Sequence, residues 1–344
     1  MKQNIEAIDI ARGASILLVV LHHTILYLTA NNEVLWFIPK MNEILAYVRM
    51  PTFFLISGVL AGSATRKPWR EFLSSKIVVL LWLFVVWSVV RFAYFGAIYP
   101  NIRDLKEGSD FIYLFSMIFD PRTGIWFLWA LMIFFVLAKA LSSANRAFVI
   151  GLAAVASLLA FGNAIPGLSW PQMNAPKYAV FFLFGSFYAS DIKSFIQHGG
   201  TKLFWRGLIV FVLAIAAIEI IDGPVQWPIE VLAGAAGVGA GLGGACLLAG
   251  TAAAGVLTFF GRRTLPIYVA HVPIVATVAD LMADAFPQHF GISLGLIATV
   301  ILIAVGSSLA LEALLLRLGA KWFYSPPKFI SNAMLKTTVA PAAE

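Results

Sequence analysis

Apolar runs long enough to cross a lipid bilayer recur along this chain from one end to the other. A run of about 20 apolar residues spans the hydrocarbon layer as a helix, because only helices and closed barrels satisfy their backbone groups in lipid. Hydrophobic residues make up 60% of the sequence and charged residues only 12%, about half the usual charged share of soluble domains. We therefore predict an all-α, polytopic membrane helix bundle.

Ten segments have the length and apolar character of spans, so we expect about ten transmembrane helices. They cover roughly 13–30, 45–62, 75–95, 125–142, 147–162, 177–190, 205–221, 229–250, 265–282 and 293–316. Two further apolar segments, 109–119 and 252–262, are too short to cross and predict interfacial or re-entrant helices. Glycines along the eighth span predict close helix packing. One transmembrane domain thus covers residues 1–324, and a flexible cytoplasmic tail covers 325–344.

The distribution of basic residues indicates the orientation of the bundle. An even number of spans returns both termini to one side of the membrane. With the N-terminus inside, 17 of the 24 Lys and Arg residues fall on cytoplasmic segments and 7 on the opposite side. This bias predicts an N-in, C-in topology and makes a nucleic-acid partner unnecessary as an explanation of the positive charge.

The region after the first apolar run and the cysteine content limit which classes of protein this sequence can belong to. No small-residue cleavage site follows the first apolar run, so we expect that run to be retained as a helix. Cys246 is the single cysteine, which excludes a disulfide framework and a cysteine metal site. No spacing typical of metal ligands occurs elsewhere, and we expect neither a metal nor a bound cofactor.

The first apolar helix carries Arg12 at its start and the pair His22 and His23 farther along. Arg12 and His23 lie on one helix face, about 16 Å apart along the axis. If Arg12 marks the cytoplasmic edge, His23 sits near the middle of a ~30 Å hydrocarbon layer, where a histidine needs a partner or a task. His22 points about 100° away, so we expect only one of the two histidines to face a site and the other to hydrogen-bond a neighbouring helix.

Further polar and aromatic groups occur in other spans. Arg49 begins the apolar part of the second span, either as an interface anchor or as a group that reaches a substrate, and Ser57 lies on a small-residue face of the same helix. Trp126 opens the fourth span, where an aromatic belt residue is expected. Tyr268 and His271 are three apart in the ninth span and share one face, either as a pair that ties two helices together or as part of a site.

These residues occur in a recognisable order. The pattern comprises Asp9-x-x-Arg12-Gly13, Arg12-x10-His23, Phe53-Phe54-x-x-Ser57-Gly58, Trp126-Phe127-Leu128 and Tyr268-x-x-His271. Together they resemble the acyltransferase-3 family of bacterial membrane O-acyltransferases, over about residues 6–315. The resemblance implies a ten-helix bundle of the inner membrane that moves an acyl group, commonly acetyl or succinyl. The donor would be cytoplasmic acyl-CoA, and the acceptor a hydroxyl of a cell-surface or periplasmic glycan or a lipid-linked sugar.

The same resemblance implies roles for individual residues. Arg12 and His23 correspond to the essential pair of the family. We assign the donor side to Lys76, Arg70, Tyr268 and His271, and the acceptor side to Arg49, Ser57 and Trp126. Many members carry Arg-x-x-Arg where this chain has Lys76-Ile-Val-Val79, and lysine binds phosphate as a point charge without the arginine fork.

Two alternatives remain open at this stage. His23 acts either as a general base toward the acceptor hydroxyl or as a transient acyl carrier. A transporter or flippase of a small polar or lipid-linked substrate is the competing function. It predicts buried charges in the middle of several spans, whereas Glu219, Asp280 and Glu312 fall near predicted span ends.

Overall fold

The computed structural model describes residues 2–30, 34–98, 111–121, 124–282 and 290–330, and over these residues the chain is helical without a β-strand. The first four helices are α1 (Lys2–Ala30), α2 (Phe37–Ala61), α3 (Trp69–Ala97) and α4 (Ile112–Ser116). The next four are α5 (Trp126–Ala140), α6 (Arg146–Phe161), α7 (Trp170–Phe187) and α8 (Ala189–Ile218). The last four are α9 (Gln226–Leu248), α10 (Ala252–Gly261), α11 (Thr264–Leu281) and α12 (Phe290–Arg317).

Each of the ten predicted spans coincides with one of these helices, which confirms the polytopic helical class. Among the described residues, seven helices are long and apolar enough to cross a membrane. The number rises to eight if α7 and the beginning of α8, which meet at a bend of 79°, form one span. Helices α5 and α6, with 15 and 16 residues, are shorter than a full crossing requires. The count of ten and the N-in, C-in orientation therefore stay predictions.

The chain that follows α12 returns to α3. A 3-10 turn, Lys321–Phe323, brings two backbone carbonyls against the tryptophans of α3. Trp82 Nε1 donates to the carbonyl oxygen of Trp322 at 2.6 Å, and Trp87 Nε1 donates to that of Phe323 at 2.8 Å. Of the predicted flexible tail, 325–344, residues 331–344 lie outside the part of the chain that the structure describes.

Helix α1 is the centre of the bundle, since it packs against α2, α9, α10, α11 and α12. Its contact with α10 depends on two glycines. A Cβ atom at Gly13 would overlap the backbone carbonyl of Leu257, and one at Gly261 would overlap the backbone of Asp9. The first turns of α1 are therefore fixed against α10, which leads directly into α11.

Small residues also bring other helices together. A Cβ at Gly58 of α2 would overlap the carbonyl of Phe182 on α7, and one at Gly185 of α7 would overlap the carbonyl of Leu55 on α2. In α9, Gly243 packs against the backbone of Phe204 on α8. This confirms the close packing that the glycines of the eighth span predicted, because van der Waals contact between backbones is a main source of helix association in lipid.

Candidate active site

A cavity of about 240 Å³ surrounds the histidines of α1. Side chains of α1, α2, α5, α7 and α11 form its walls, together with Gly124, which lies two residues before α5. The lining residues include Val19, His22, His23, Arg49, Phe53, Trp126, Asn174, Lys177, Tyr178 and Tyr268. His22 and His23 both line this cavity, with ring centroids 4.9 Å apart. The expectation that only one of them faces the site is wrong, because the cavity extends far enough around α1 to reach both rings.

His271 of α11 is fully buried directly behind His23. Its Nδ1 lies 2.9 Å from the carbonyl oxygen of Ile267 and 2.8 Å from that of Tyr268. Carbonyl oxygens only accept hydrogen bonds, so Nδ1 carries the proton and donates to them. In a neutral imidazole the other nitrogen is then an acceptor, and Nε2 of His271 faces His23 Nδ1 at 3.1 Å.

The protonation of His23 follows from these contacts. Its Nδ1 lies between two acceptors, His271 Nε2 at 3.1 Å and the carbonyl oxygen of Val19 at 2.9 Å. The proton of a neutral His23 therefore resides on Nδ1, and Nε2 holds the lone pair. Over the described parts of the chain, His23 Nε2 makes no hydrogen bond. Such a nitrogen can accept a proton from a molecule in the cavity.

His22 contacts a different helix. Its Nδ1 is 3.0 Å from the amide nitrogen and 3.3 Å from the amide oxygen of Asn42 on α2. Arg49 lies two helical turns farther along α2. Its guanidinium donates to the amide oxygen of Asn42 at 3.2 Å and lies 3.5 Å from the carbonyl oxygen of Leu18. Arg49 is thus not an outer-end anchor, since it is 4% exposed and lines the cavity. The sequence analysis missed Asn42, although its spacing of two helical turns from Arg49 places both on one face of α2.

Arg91 of α3 is a second buried cation near the site. It is one of the seven basic residues that the sequence placed on the side of the membrane opposite to the cytoplasm. In the structure its side chain is instead 0% exposed, and its guanidinium lies 5.6 Å from the ring centroid of Phe95. A Cβ at Gly124 would be 2.6 Å from its guanidinium, which would then have to shift. The carbonyl of Gly124 in turn accepts a hydrogen bond from the Tyr268 hydroxyl at 3.3 Å. A lone arginine inside an otherwise apolar run was the signal that could have identified Arg91.

The residues assigned to the acceptor side do not all meet. Trp126 lines the cavity together with Arg49, and its ring packs edge-on against Trp170. Ser57 is not among the lining residues. Its hydroxyl donates to the carbonyl oxygen of Phe53 in its own helix at 2.8 Å.

Arg12 belongs to a separate polar cluster at the beginning of α1. Its guanidinium lies 3.5 Å from the Asp9 carboxylate and donates to the Thr264 hydroxyl at 3.2 Å. Arg262 donates to the other carboxylate oxygen of Asp9 at 3.0 Å, and its side chain is largely exposed. Asp9 therefore holds two arginines side by side where α1, α10 and α11 meet.

The residues assigned to donor binding divide between two places. Tyr268 lines the histidine cavity and His271 supports it from behind. Lys76 and Arg70 lie on the first turns of α3 and, like Arg12, are not among the residues that line this cavity. Over the described residues no group of three His, Cys, Asp or Glu side chains is arranged to hold a metal ion.

The family model for the acyltransferase-3 "Acyltransferase domain" matches residues 5–311. The chain belongs to the acyltransferase-3 family. This range contains all nine residues assigned from the sequence, and the site described above therefore lies wholly within the family domain.

Two curated relatives are similar to this chain. Nodulation protein NolL of Mesorhizobium japonicum is 27% identical over 179 residues, which cover 51% of this chain and 46% of that protein. Inner membrane protein YcfT of Escherichia coli K12 is 27% identical over 220 residues, which cover 57% of this chain and 60% of that protein. The matched regions thus span about half of each relative's length. No solved structure matches the chain.

Proposed function

We propose that this protein is an inner-membrane O-acyltransferase. It would transfer an acyl group, acetyl or succinyl, from cytoplasmic acyl-CoA to a hydroxyl of a cell-surface or periplasmic glycan or a lipid-linked sugar. The observation that carries the proposal is the pattern of contacts that leaves Nε2 of His23 unprotonated, in a residue that lines a cavity inside a bundle of an acyltransferase family. The resemblance to an inner membrane protein of Escherichia coli supports the proposed location.

The reaction would proceed by attack of the acceptor oxygen on the thioester carbonyl carbon. As the C–O bond forms, the hydroxyl proton moves to His23 Nε2. His271 Nε2 accepts from His23 Nδ1–H and so stabilises the imidazolium that results. The tetrahedral intermediate then breaks its C–S bond, and the departing thiolate of CoA takes the proton from His23. The ester product and the free thiol leave His23 neutral, ready for another cycle.

The second route keeps the same residue but changes its role. His23 Nε2 would itself attack the thioester carbonyl and release the thiolate. The acceptor hydroxyl would then attack the acyl-imidazolium, which restores neutral His23, and the hydroxyl proton would pass to the thiolate. The two routes differ in one measurable respect. Only the second leaves a labelled acyl group on the protein when labelled acyl-CoA is supplied without an acceptor.

A second cavity supports an acceptor route. It has a volume of about 250 Å³ and shares His22, Arg49, Lys177 and Tyr178 with the first cavity. Tyr47 stacks on Phe161 with ring centroids 6.2 Å apart, and its hydroxyl donates to Glu230 at 2.9 Å. Aromatic faces beside carboxylate and ammonium groups suit a polyhydroxylated ligand. We assign the acceptor to this cavity and the anionic end of acyl-CoA to the cluster around Arg12, where clustered guanidinium groups suit phosphates.

The test is acyl-CoA consumption by purified protein in nanodiscs, with mass spectrometry of surface glycans from cells with and without the gene. We expect the wild type to consume acyl-CoA, and the glycans to carry an additional acyl mass. His23→Ala should abolish both while its level and its melting temperature stay unchanged. Acylation by His23→Ala would overturn the role of His23, and substrate translocation without acyl-CoA consumption would establish a transporter instead.

A further inference from the structure

The mechanism above uses His23 and leaves its neighbour without a task. His22 lines both the histidine cavity and the adjoining cavity, and its ring lies edge-on to that of His23. An imidazole at this position is costly in the interior of a membrane bundle unless it serves a purpose. Its hydrogen bonds indicate which purpose.

The protonation of His22 is set by a chain of contacts that begins at Arg49. A guanidinium can only donate hydrogen bonds, so the Asn42 atom that it contacts at 3.2 Å is the amide oxygen. Both amide atoms of Asn42 lie near His22 Nδ1, but the nitrogen is closer, at 3.0 Å against 3.3 Å for the oxygen, and the oxygen already accepts from Arg49. An amide nitrogen donates, and Nδ1 of His22 is therefore the acceptor. The proton of a neutral His22 must then reside on Nε2.

The two adjacent histidines thus have opposite tautomers. His23 carries its proton on Nδ1, toward His271, whereas His22 carries its proton on Nε2. In the part of the chain that the structure describes, neither Nε2 has a hydrogen-bond partner. One ring can accept a proton, and the other can donate a hydrogen bond, to the same molecule in one cavity.

The hydroxyl groups of Tyr268 and Ser57 are already engaged, whereas the amide nitrogen of Asn174, which also lines the cavity, makes no hydrogen bond to the described residues. The hydroxyl of Tyr268 donates to the carbonyl of Gly124, and that of Ser57 donates to the carbonyl of Phe53. A reaction at the thioester carbonyl develops negative charge on the carbonyl oxygen, and a preorganised donor stabilises that charge. A neutral imidazole can serve as such a donor.

We propose that His22 is a catalytic residue that stabilises the oxyanion of acyl transfer, and that Asn42 and Arg49 are positioning residues that fix its tautomer. This inference rests on the proposed acyltransferase function. When the acceptor oxygen attacks the thioester carbon, the C=O electron pair moves to oxygen, which accepts the hydrogen bond from His22 Nε2–H. The proton of the hydroxyl goes to His23 Nε2. When the C–S bond breaks, the C=O bond re-forms and the thiolate takes the proton from His23, so His22 neither gains nor loses a proton.

The experiment compares three variants on α1 with the wild type in nanodiscs, with kcat and KM for acyl-CoA and for the acceptor as readouts. His22→Met removes the donor and keeps a side chain of similar size. His22→Gln retains an N–H donor and an acceptor for Asn42. Leu26→Met is the matched control, because Leu26 lies one turn farther along α1 and is 53% exposed.

We expect His22→Met to lower kcat by about 10²- to 10³-fold, the usual effect of losing one oxyanion donor, with both KM values within about 3-fold. His22→Gln should recover at least about 10-fold of that loss, and Leu26→Met should match the wild type. A purely structural role would lower the melting temperature and change KM together with kcat. Wild-type kcat in a folded His22→Met protein would overturn the proposal.

Asn42→Ala tests the positioning role without removing the ring. It should lower kcat, and in the His22→Met background it should cause no further loss, because its effect passes through His22. Additive losses in the double variant would refute the tautomer argument. If His22→Met proves unstable, wild-type kcat in a folded Asn42→Ala protein would refute it instead. Failure of the acyltransferase function itself would look different, since the wild type and Leu26→Met would then not consume acyl-CoA.

Discussion

Helix α1 carries two polar clusters eleven residues apart, and they are held in different ways. Around Arg12, charged groups meet at the surface of the bundle: one carboxylate contacts two guanidinium groups, of which that of Arg262 is largely exposed. Around His23, neutral rings are fixed by backbone carbonyls and by a buried amide. Flexible charged side chains suit the capture of an anionic ligand, whereas fixed tautomers suit a proton transfer. Variants in the two clusters should therefore separate binding from chemistry.

Among variants that leave His22 and His23 in place, the largest effect is expected from His271. His271→Ala removes one of the two acceptors that keep the His23 proton on Nδ1 and leaves only the carbonyl of Val19, so a fraction of His23 would present a protonated Nε2 to the acceptor hydroxyl. We expect kcat to fall on the order of 10²- to 10⁴-fold, the range of general-base catalysis, with little change in KM. His271→Gln keeps an acceptor oxygen and should be intermediate. A folded His271→Ala protein with normal kcat would show that His23 needs no support from α11.

Arg12 should affect binding more than chemistry. A hydrogen bond to a charged group contributes about 1.5 to 3 kcal/mol, so Arg12→Ala should raise KM for acyl-CoA by roughly 10- to 100-fold. We expect kcat to change by less than about 3-fold, and Arg12→Lys to lie between the wild type and the alanine variant. Isothermal titration with a non-hydrolysable acyl-CoA analogue measures the affinity directly. A large loss of kcat with unchanged affinity would place Arg12 in the chemical step.

The glycine contact near Arg12 should matter for stability. Gly13→Ala forces α1 away from the Leu257 carbonyl, and overpacking of this kind costs about 1 to 3 kcal/mol. The melting temperature in detergent should fall accordingly. Gly255→Ala is the matched control on α10, because no atom lies within 4 Å of its Cβ position. Equal melting temperatures for both variants would mean that α1 and α10 can separate without cost.

The smallest effect is expected at Ser57. Its hydroxyl bonds only within α2 and is not among the groups that line the cavity. Ser57→Ala should keep kcat and both KM values within about 2-fold of the wild type. A loss greater than 10-fold would return Ser57 to the acceptor side, as the sequence suggested.

The sequence indicated the helices and part of the site, for physical reasons that also explain the errors. Helical periodicity placed Arg12 and His23 on one face, and apolar length predicted a helix at each of the ten proposed segments, since hydrophobic length is encoded locally. The shape of the cavity is not local, because it depends on how five helices meet. Periodicity alone therefore could not show that His22 also faces the site, that Arg91 is fully buried, or that the Ser57 hydroxyl is engaged within α2.

The glycine contacts of α1 have a consequence for the surrounding lipid. The contacts of Gly13 and Gly261 fix the position of α1 along its axis relative to α10 and the beginning of α11. The 3.1 Å distance between His23 Nδ1 and His271 Nε2 depends on that position. A bilayer of different thickness favours helix tilting or sliding, at a fraction of a kcal/mol per ångström of mismatch. A slide of about 2 Å across this contact would lengthen it to about 3.7 Å, which is beyond hydrogen-bond distance. Turnover should therefore respond to acyl-chain length in reconstituted vesicles well before the protein denatures.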